Sequence, residues 1–174
     1  MTTRSSEVVL EVNVSGCAYS TVSIRIPHRD PCAISQELFV TTTLTAAAKA
    51  LIARPVLADI ATVDHLGNPT ITPVWITLDG EDLIFNTSRG RAKHTNLTRN
   101  PHVAVSVLDP DDPFGPVVLR GVVEATEEGA DANIDALAKK YMGVDSYPMR
   151  QPGEVRVIFR VKADTILMQP GDHA

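Results

Sequence analysis

The chain has 174 residues, 44% of them apolar, with 16 basic and 21 acidic side chains and a formal charge of -5. That length supports a real hydrophobic core in one domain or slightly more, and the acidic balance gives no support for nonspecific nucleic-acid binding. Cys17 and Cys32 make neither a disulfide framework nor a metal site, and no apolar run reaches the roughly 18 residues of a membrane span.

Residues 1–40 read as an N-terminal extension. Its first residues lack the apolar core of a secretory signal, so a cytoplasmic protein is the expectation. Val8 to Val14 alternates weakly, and Thr21 to Ile26 has the same period, with Pro27 ending it. Three outcomes stay open for this segment: a strand added to the main sheet, a cover for a partner, or disorder.

A folded domain is expected over residues 41–167. Leu44 to Ile52 predicts a helix, with Leu44, Ala47, Ala48, Leu51 and Ile52 on one face. One of Thr41 to Thr43 is the expected cap, and Pro55 the stop. Val56 to Val63 predicts a strand, His65 to Pro69 a turn, and Thr70 to Leu78 the returning strand. Pro73 has no ladder donor and points to an edge or a bulge. After Asp79-Gly80, Asp82 to Thr87 completes an antiparallel meander.

Ser88 to Pro101 follows. It carries Arg89, Arg91, Lys93 and Arg99, one glycine and no acidic residue, in an acidic protein. A helix is expected from about Arg91 to Thr98. Arginine offers a planar fork of donors, lysine a compact charge, and a helix start offers free N–H groups. Two readings stand: a solvated basic helix start, which composition alone favours, and an anion site. Arg89, Arg91 and Lys93 converge if the chain is half extended. If Arg91 is already helical, Arg91 and Lys93 diverge by about 200 degrees.

Val103 to Leu108 and Val117 to Glu124 are the fourth and fifth strands, joined by a proline-rich loop. Gly121 marks a close approach or bulge. Glu127 to Tyr141 predicts an amphipathic helix with acidic residues at its start and lysines near its end, the order that suits its dipole. The loops Asp109 to Pro116 and Gly143 to Gly153 are expected at a pocket mouth. Glu154 to Ile166 is the sixth strand, with Val155, Val157, Phe159 and Val161 on one face and Arg156, Arg160 and Lys162 on the other. Residues 168–174 read as a flexible tail. Six strands and three helices, locally connected, predict an antiparallel barrel with helices outside it.

Trp75 is the only tryptophan, and such a residue is usually core or an interface anchor; walling a planar cofactor is the sharper alternative. Asp59 sits in an otherwise apolar strand and faces solvent or a partner. The histidines show no metal spacing, and no dinucleotide, Walker or nucleophile-elbow motif is present. No metal is expected, and the catalytic residues are unknown.

Several of these segments together resemble a family. Ala61-Thr62-Val63-Asp64, Gly67-Asn68-Pro69, Pro73-Val74-Trp75 and Arg91-Ala92-Lys93-His94-Thr95-Asn96-Leu97 with Asn100-Pro101 are similar to the pyridoxamine-5'-phosphate-oxidase-like split-barrel superfamily. Arg120-Gly121-Val122-Val123 and Pro152-Gly153-Glu154-Val155-Arg156-Val157 look like its actinobacterial branch that uses the deazaflavin coenzyme F420. The resemblance implies a six-stranded split barrel and a homodimer with cofactor sites at the interface. It implies that Ser88, Arg91 and Lys93 hold the cofactor's anionic tail, flanked by Thr87 and Arg89, and that Pro73, Val74 and Trp75 lie along its ring. It implies hydride transfer between reduced F420 and an unsaturated organic substrate. FMN in the same fold is the alternative, and a cofactor-binding dimer without turnover is a third. No nucleic acid or membrane partner is implied.

Overall fold

The computed structural model describes residues 42–170 and two short strands, Val8–Leu10 (β1) and Val22–Ile24 (β2). The chain divides into two units, Met1–Phe39 and Val40–Ala174. In the first, β1 and β2 pair antiparallel with each other, Val9 opposite Ser23. The other expectations for residues 1–40 fall outside the described residues.

The second unit opens with helix α1, Ala46–Ala53, which buries Ala48, Leu51 and Ile52. Its cap is Thr45 rather than Thr41 to Thr43: Thr45 Oγ1 accepts the Ala48 N–H at 3.1 Å, satisfying a donor the first helical turn leaves free. Strands β3 (Ala58–Val63), β4 (Pro69–Val74), β5 (Ile76–Asp79) and β6 (Asp82–Ser88) follow. Helix α2 is Ala92–Arg99, β7 is His102–Val107, β8 is Val117–Thr126, α3 is Ala130–Met142 and β9 is Arg156–Met168.

One antiparallel sheet holds β3 to β9 in the order β4-β3-β7-β8-β9-β6-β5. The sheet therefore has seven strands where six were expected. The difference lies at Trp75. The single strand expected from Thr70 to Leu78 is two: β4 ends its ladder with Val74 opposite Ala58, and β5 begins another with Ile76 opposite Phe85. Trp75 belongs to neither ladder. The two edges of the sheet are thus joined by a single residue, and the sheet curls into a split barrel whose seam passes Trp75. Pro69 and Pro73 lie on the edge strand β4, where a missing ladder donor is tolerated.

The barrel interior is filled by Ile60, Ile76, Phe85, Val105, Leu119 and Phe159, each at most 1% exposed. Phe85 and Phe159 are paired across β6 and β9 and stack at 5.3 Å. Helix α3 covers the outside of β6 and β9, burying Ile134, Leu137 and Ala138. This is why β6 is buried along both faces instead of alternating. Gly121 shows the expected irregularity: a Cβ there would lie 2.0 Å from the Lys162 carbonyl oxygen, and the β8–β9 register shifts between Arg120 and Gly121.

The end of α3 seals the seam. Tyr141 Oη accepts the Ile76 N–H at 3.0 Å and donates to the Val56 carbonyl at 2.5 Å. Lys140 Nζ donates to the carbonyls of Ile52 at 2.6 Å and Ile76 at 2.8 Å. Both backbone groups of Ile76, on an edge strand, are thereby satisfied by neighbouring side chains of one helix. Burial lowers the Lys140 pKa to about 8 and raises that of Tyr141.

Two expectations change along β9. Arg156, placed by alternation on the charged face of β9 with Arg160 and Lys162, is 4% exposed, with Tyr147 of the preceding loop over its guanidinium and Glu154 paired to it. The polar tail expected from residue 168 begins later. Gln169 is 4% exposed and its Oε1 accepts the Thr45 N–H at 2.8 Å, while Thr45 Oγ1 donates to the Pro170 carbonyl at 2.9 Å. Residues 171–174 lie outside the described residues.

Candidate functional site

Beside the seam lies a cavity of about 250 Å³. One wall is Pro73, Val74 and Trp75, where β4 gives way to β5, with Leu57 next to them. Three cations also line it: Arg91 and Lys93 at the start of α2, and Arg156 at the start of β9. Asn86 of β6, Ile134 of α3, and Tyr147 and Met149 of the loop between α3 and β9 complete the lining.

Arg91 is the N-cap residue, with extended backbone at φ -69° and ψ 152°, and the helix begins at Ala92. Gly90 supplies the turn with φ +85°. The extended cap lets Arg91 and Lys93 reach one cavity instead of diverging around a helix. No side chain caps α2, so its first N–H groups add positive potential there. Burial, and secondarily the nearby Arg91 charge, lowers the Lys93 pKa. An anion placed between the two relieves that repulsion.

The other residues expected in this stretch go elsewhere. Arg89 is exposed and paired with Glu127. Thr87 is 1% exposed, and its hydroxyl is buried without a partner. Ser88 is buried, and its hydroxyl donates to Glu154. Five of the eight expected residues thus line the cavity: Pro73, Val74, Trp75, Arg91 and Lys93.

Glu154 organises the rest. Besides the Ser88 hydroxyl, its carboxylate accepts Arg156 Nη2 at 3.0 Å and the Gln151 N–H at 3.3 Å, and lies 4.0 Å from Arg91 Nη2. Burial works to raise the Glu154 pKa, but the Ser88 hydroxyl, the Gln151 N–H and the Arg156 charge together hold it below the ordinary carboxylate range. The Arg156 guanidinium lies 4.5 Å from the centre of the Tyr147 ring, a cation–π contact. Tyr147 meets Trp75 edge-on at 5.9 Å, and Tyr141 stacks on Trp75 at 5.1 Å with ring planes 7° apart. The Trp75 ring is therefore held from two sides.

Asn86 is fixed in orientation. Its Nδ2 donates to the Ala130 carbonyl at 2.8 Å and to Asn133 Oδ1 at 3.1 Å. Only an NH₂ group can face that carbonyl, so the amide cannot be reversed. Asn86 Oδ1 and Arg156 Nε are buried without hydrogen-bond partners, two of four such atoms among the described residues. Buried orphans concentrated at one cavity are a feature of sites that complete their bonding with a ligand or water.

The lining places cations and helix N–H groups beside an indole, a proline and a valine, an arrangement able to take an anion next to a planar or apolar group. The described residues contain no group of three or more potential metal-ligating side chains. No described helix is long and apolar enough to cross a membrane.

Of the two loops expected at a pocket mouth, Gly143 to Gly153 supplies Tyr147 and Met149 to this lining and Asp109 to Pro116 supplies none; Asn86, Glu154 and Arg156 were not among the expected site residues. The available signal was that Asn86 and Ser88 share one face of β6, opposite Ile158 and Arg156 of β9. A polar row there requires a polar cover.

The profile of the pyridoxamine 5'-phosphate oxidase family matches residues 44–169. Solved structures agree with it. An F420 reductase is 32% identical, covering 71% of this chain and 98% of its own, with a TM-score of 0.62. HupZ of Group A Streptococcus is 25% identical, covering 72% of this chain and 94% of its own, with a TM-score of 0.55. A conserved hypothetical protein of Mycobacterium tuberculosis is 21% identical, covers 72% of this chain and 88% of its own, and shares the fold with a TM-score of 0.57. No curated protein matches the chain.

Proposed function

The chain belongs to the pyridoxamine 5'-phosphate oxidase family, and from that premise we propose that it is an F420-dependent oxidoreductase. The family's fold binds flavin-type cofactors, and its members are often oxidoreductases and commonly form dimers. The observation that carries the finer reading is the convergence of Arg91 and Lys93 on a cavity walled by Trp75. The similarity to an F420 reductase over nearly all of that protein's length supports the choice of cofactor.

In this reading Arg91 and Lys93, with the free N–H groups of α2, bind the anionic tail. Pro73, Val74 and Trp75 lie along the ring, and the contacts of Tyr141 and Tyr147 hold the indole in place. Asn86 and Arg156 supply polar groups at the inner wall. Bound F420 supplies the hydride chemistry. The chain's own part is to bind, orient and exclude water. Leu57 and Met149, both on the lining, shield the ring side. No side chain stands out as proton donor, and the substrate is an unsaturated organic molecule that accepts a hydride. A homodimer with its cofactor sites at the interface completes the proposal; Leu57 on the cavity lining and Ile71 on the edge strand β4, 51% and 65% exposed, offer apolar surface to a second copy.

FMN is the second reading, favoured by the flavin-type cofactors of the family itself. A cofactor-binding dimer without turnover uses the same contacts. The deciding assay follows oxidation of reduced F420 by the purified protein with a panel of enones, nitroaromatics and other unsaturated acceptors. Acceptor-dependent oxidation is the expected result. Binding of F420 without oxidation by any acceptor would replace the enzyme reading with the binding-protein reading, and binding of FMN alone would replace the cofactor.

A further inference from the structure

We propose that Asn86 and Arg156 form a subsite for an amide or lactam group, a neutral planar group that carries an N–H beside a C=O. The inference rests on this cavity holding a ligand, whichever cofactor that is. Four buried side-chain atoms among the described residues have no hydrogen-bond partner: Thr72 Oγ1, Asn86 Oδ1, Thr87 Oγ1 and Arg156 Nε. Neither threonine is on the cavity lining, whereas Asn86 and Arg156 both are. They are 9% and 4% exposed. Of their two free atoms, one accepts and the other donates.

The two residues sit where they could satisfy each other. Asn86 pairs with Ile158 and Ser88 with Arg156, so Asn86 and Arg156 are diagonal neighbours on one face of β6 and β9. Such neighbours lie about 7–8 Å apart, a gap that long side chains span. Other groups hold each of them instead. The Asn86 amide nitrogen donates to the Ala130 carbonyl and to Asn133 Oδ1 of α3, which leaves Oδ1 as the free end. The Arg156 guanidinium is tied through Nη2 to Glu154 at 3.0 Å, and the Tyr147 ring covers it at 4.5 Å. A fixed acceptor and a fixed donor therefore stay unused on one cavity wall, and a ligand that fits both recovers what their burial costs.

Charge selects the class of ligand. Glu154 already balances Arg156, so the guanidinium offers this wall a hydrogen-bond donor rather than a free charge. Asn86 Oδ1 repels a carboxylate or phosphate oxygen and requires an N–H or O–H. An anion satisfies Arg156 alone, and an amine satisfies Asn86 alone. An amide or lactam satisfies both from one plane, and the Trp75 and Tyr147 rings on the same lining suit a flat group. A flavin or deazaflavin ring carries such an edge, and so does a lactam-bearing hydride acceptor.

The test titrates three fused-ring probes into the full chain by calorimetry. Carbostyril carries the lactam N–H and C=O, N-methylcarbostyril only the C=O, and indole only the N–H. Carbostyril is expected to bind about tenfold or more tightly than either, the scale of one buried polar group left unpaired. Asn86→Leu is expected to bring carbostyril and its N-methyl derivative to equal affinity. That ratio is taken within one protein, so a general loss of packing cancels from it, and the native comparison stands without the variant. Repeating the titration with saturating F420 or FMN assigns the source: loss of carbostyril binding places the lactam group on the cofactor ring, and retained binding places it on the substrate. Equal affinity of the native chain for the three probes, or binding of none, overturns the subsite and gives the two free atoms to ordered water, while saturable F420 or FMN binding in the same preparation leaves the cofactor reading standing. Discrimination that survives Asn86→Leu overturns the part assigned to Asn86. Failure of F420 and FMN to bind, with the native probe ratio kept, overturns the cofactor reading and leaves the subsite.

Discussion

Replacing Tyr141 with phenylalanine removes one oxygen and tests how the seam is held. That oxygen accepts the Ile76 N–H at 3.0 Å and donates to the Val56 carbonyl at 2.5 Å. Phenylalanine keeps the ring stacked on Trp75 but leaves a donor and an acceptor without partners in part-buried surroundings. A net hydrogen bond contributes about 1 kcal/mol, and a stranded buried group costs about 1–3 kcal/mol. The expected loss is therefore about 2–3 kcal/mol, less than two fully stranded groups because water reaches part of the seam. Denaturant unfolding followed by Trp75 fluorescence measures it as a lower midpoint with an unchanged slope. Tyr141→Leu also loses the stack and is expected to cost about 1 kcal/mol more. A loss below about 0.5 kcal/mol in Tyr141→Phe would refute the claim that this hydroxyl closes the seam, since surface substitutions away from such features fall within that range.

Other outcomes follow from the same geometry. Burial lowers Lys140 from 10.5 to about 8, so between those values the unfolded chain binds more protons and stability is expected to rise with pH. The raised Tyr141 pKa opposes this above pH 10, so urea unfolding from pH 8 to 10 is the measurement, and Lys140→Met is expected to flatten the slope. Lys93 has its pKa lowered by burial and Arg91, and a bound anion favours its charged form. Affinity for a phosphorylated flavin is therefore expected to fall as pH rises through that lowered value, and calorimetry on Lys93→Met is expected to show weaker binding without the fall. Gly121→Ala would drive a Cβ to 2.0 Å from the Lys162 carbonyl oxygen, backbone that cannot swing aside as a side chain can, and is expected to cost about 3 kcal/mol or more in thermal or denaturant unfolding.

Much of the barrel was legible because its strands alternate or run apolar between turn signals. Val103 to Val107 and Val157 to Val161 place every second residue in the interior. Gly121 was legible as a close approach because only glycine fits beside the Lys162 carbonyl. The break at Trp75 was not, because β4 and β5 continue one another with a single residue between them and no turn signal marks the change of ladder. Pro73 indicated an edge without indicating that the next strand would be the other edge. At the site, Arg91 and Lys93 stood out as cations in an acidic chain. Arg156 read only as a member of the charged face of β9, because alternation reports which residues share a face, not what covers that face. Its cover comes from Tyr147, nine positions earlier in an irregular loop, and its counter-charge from Glu154, just before the strand. Burial of both depends on the packing of α3 and that loop, which periodicity does not encode.

The proposed cofactor site of Arg91, Lys93 and Trp75, with its preference for F420, has a direct binding test. Equilibrium titration of the native chain and of Lys93→Ala with F420 and with FMN, read by quenching of the single tryptophan, tests it most directly. The expected result is saturable quenching by F420 at lower concentration than FMN, and a dissociation constant for F420 raised about tenfold or more in the variant, the scale of a charged hydrogen bond. No saturable quenching by either cofactor, or an F420 dissociation constant unchanged by the loss of Lys93, would contradict it.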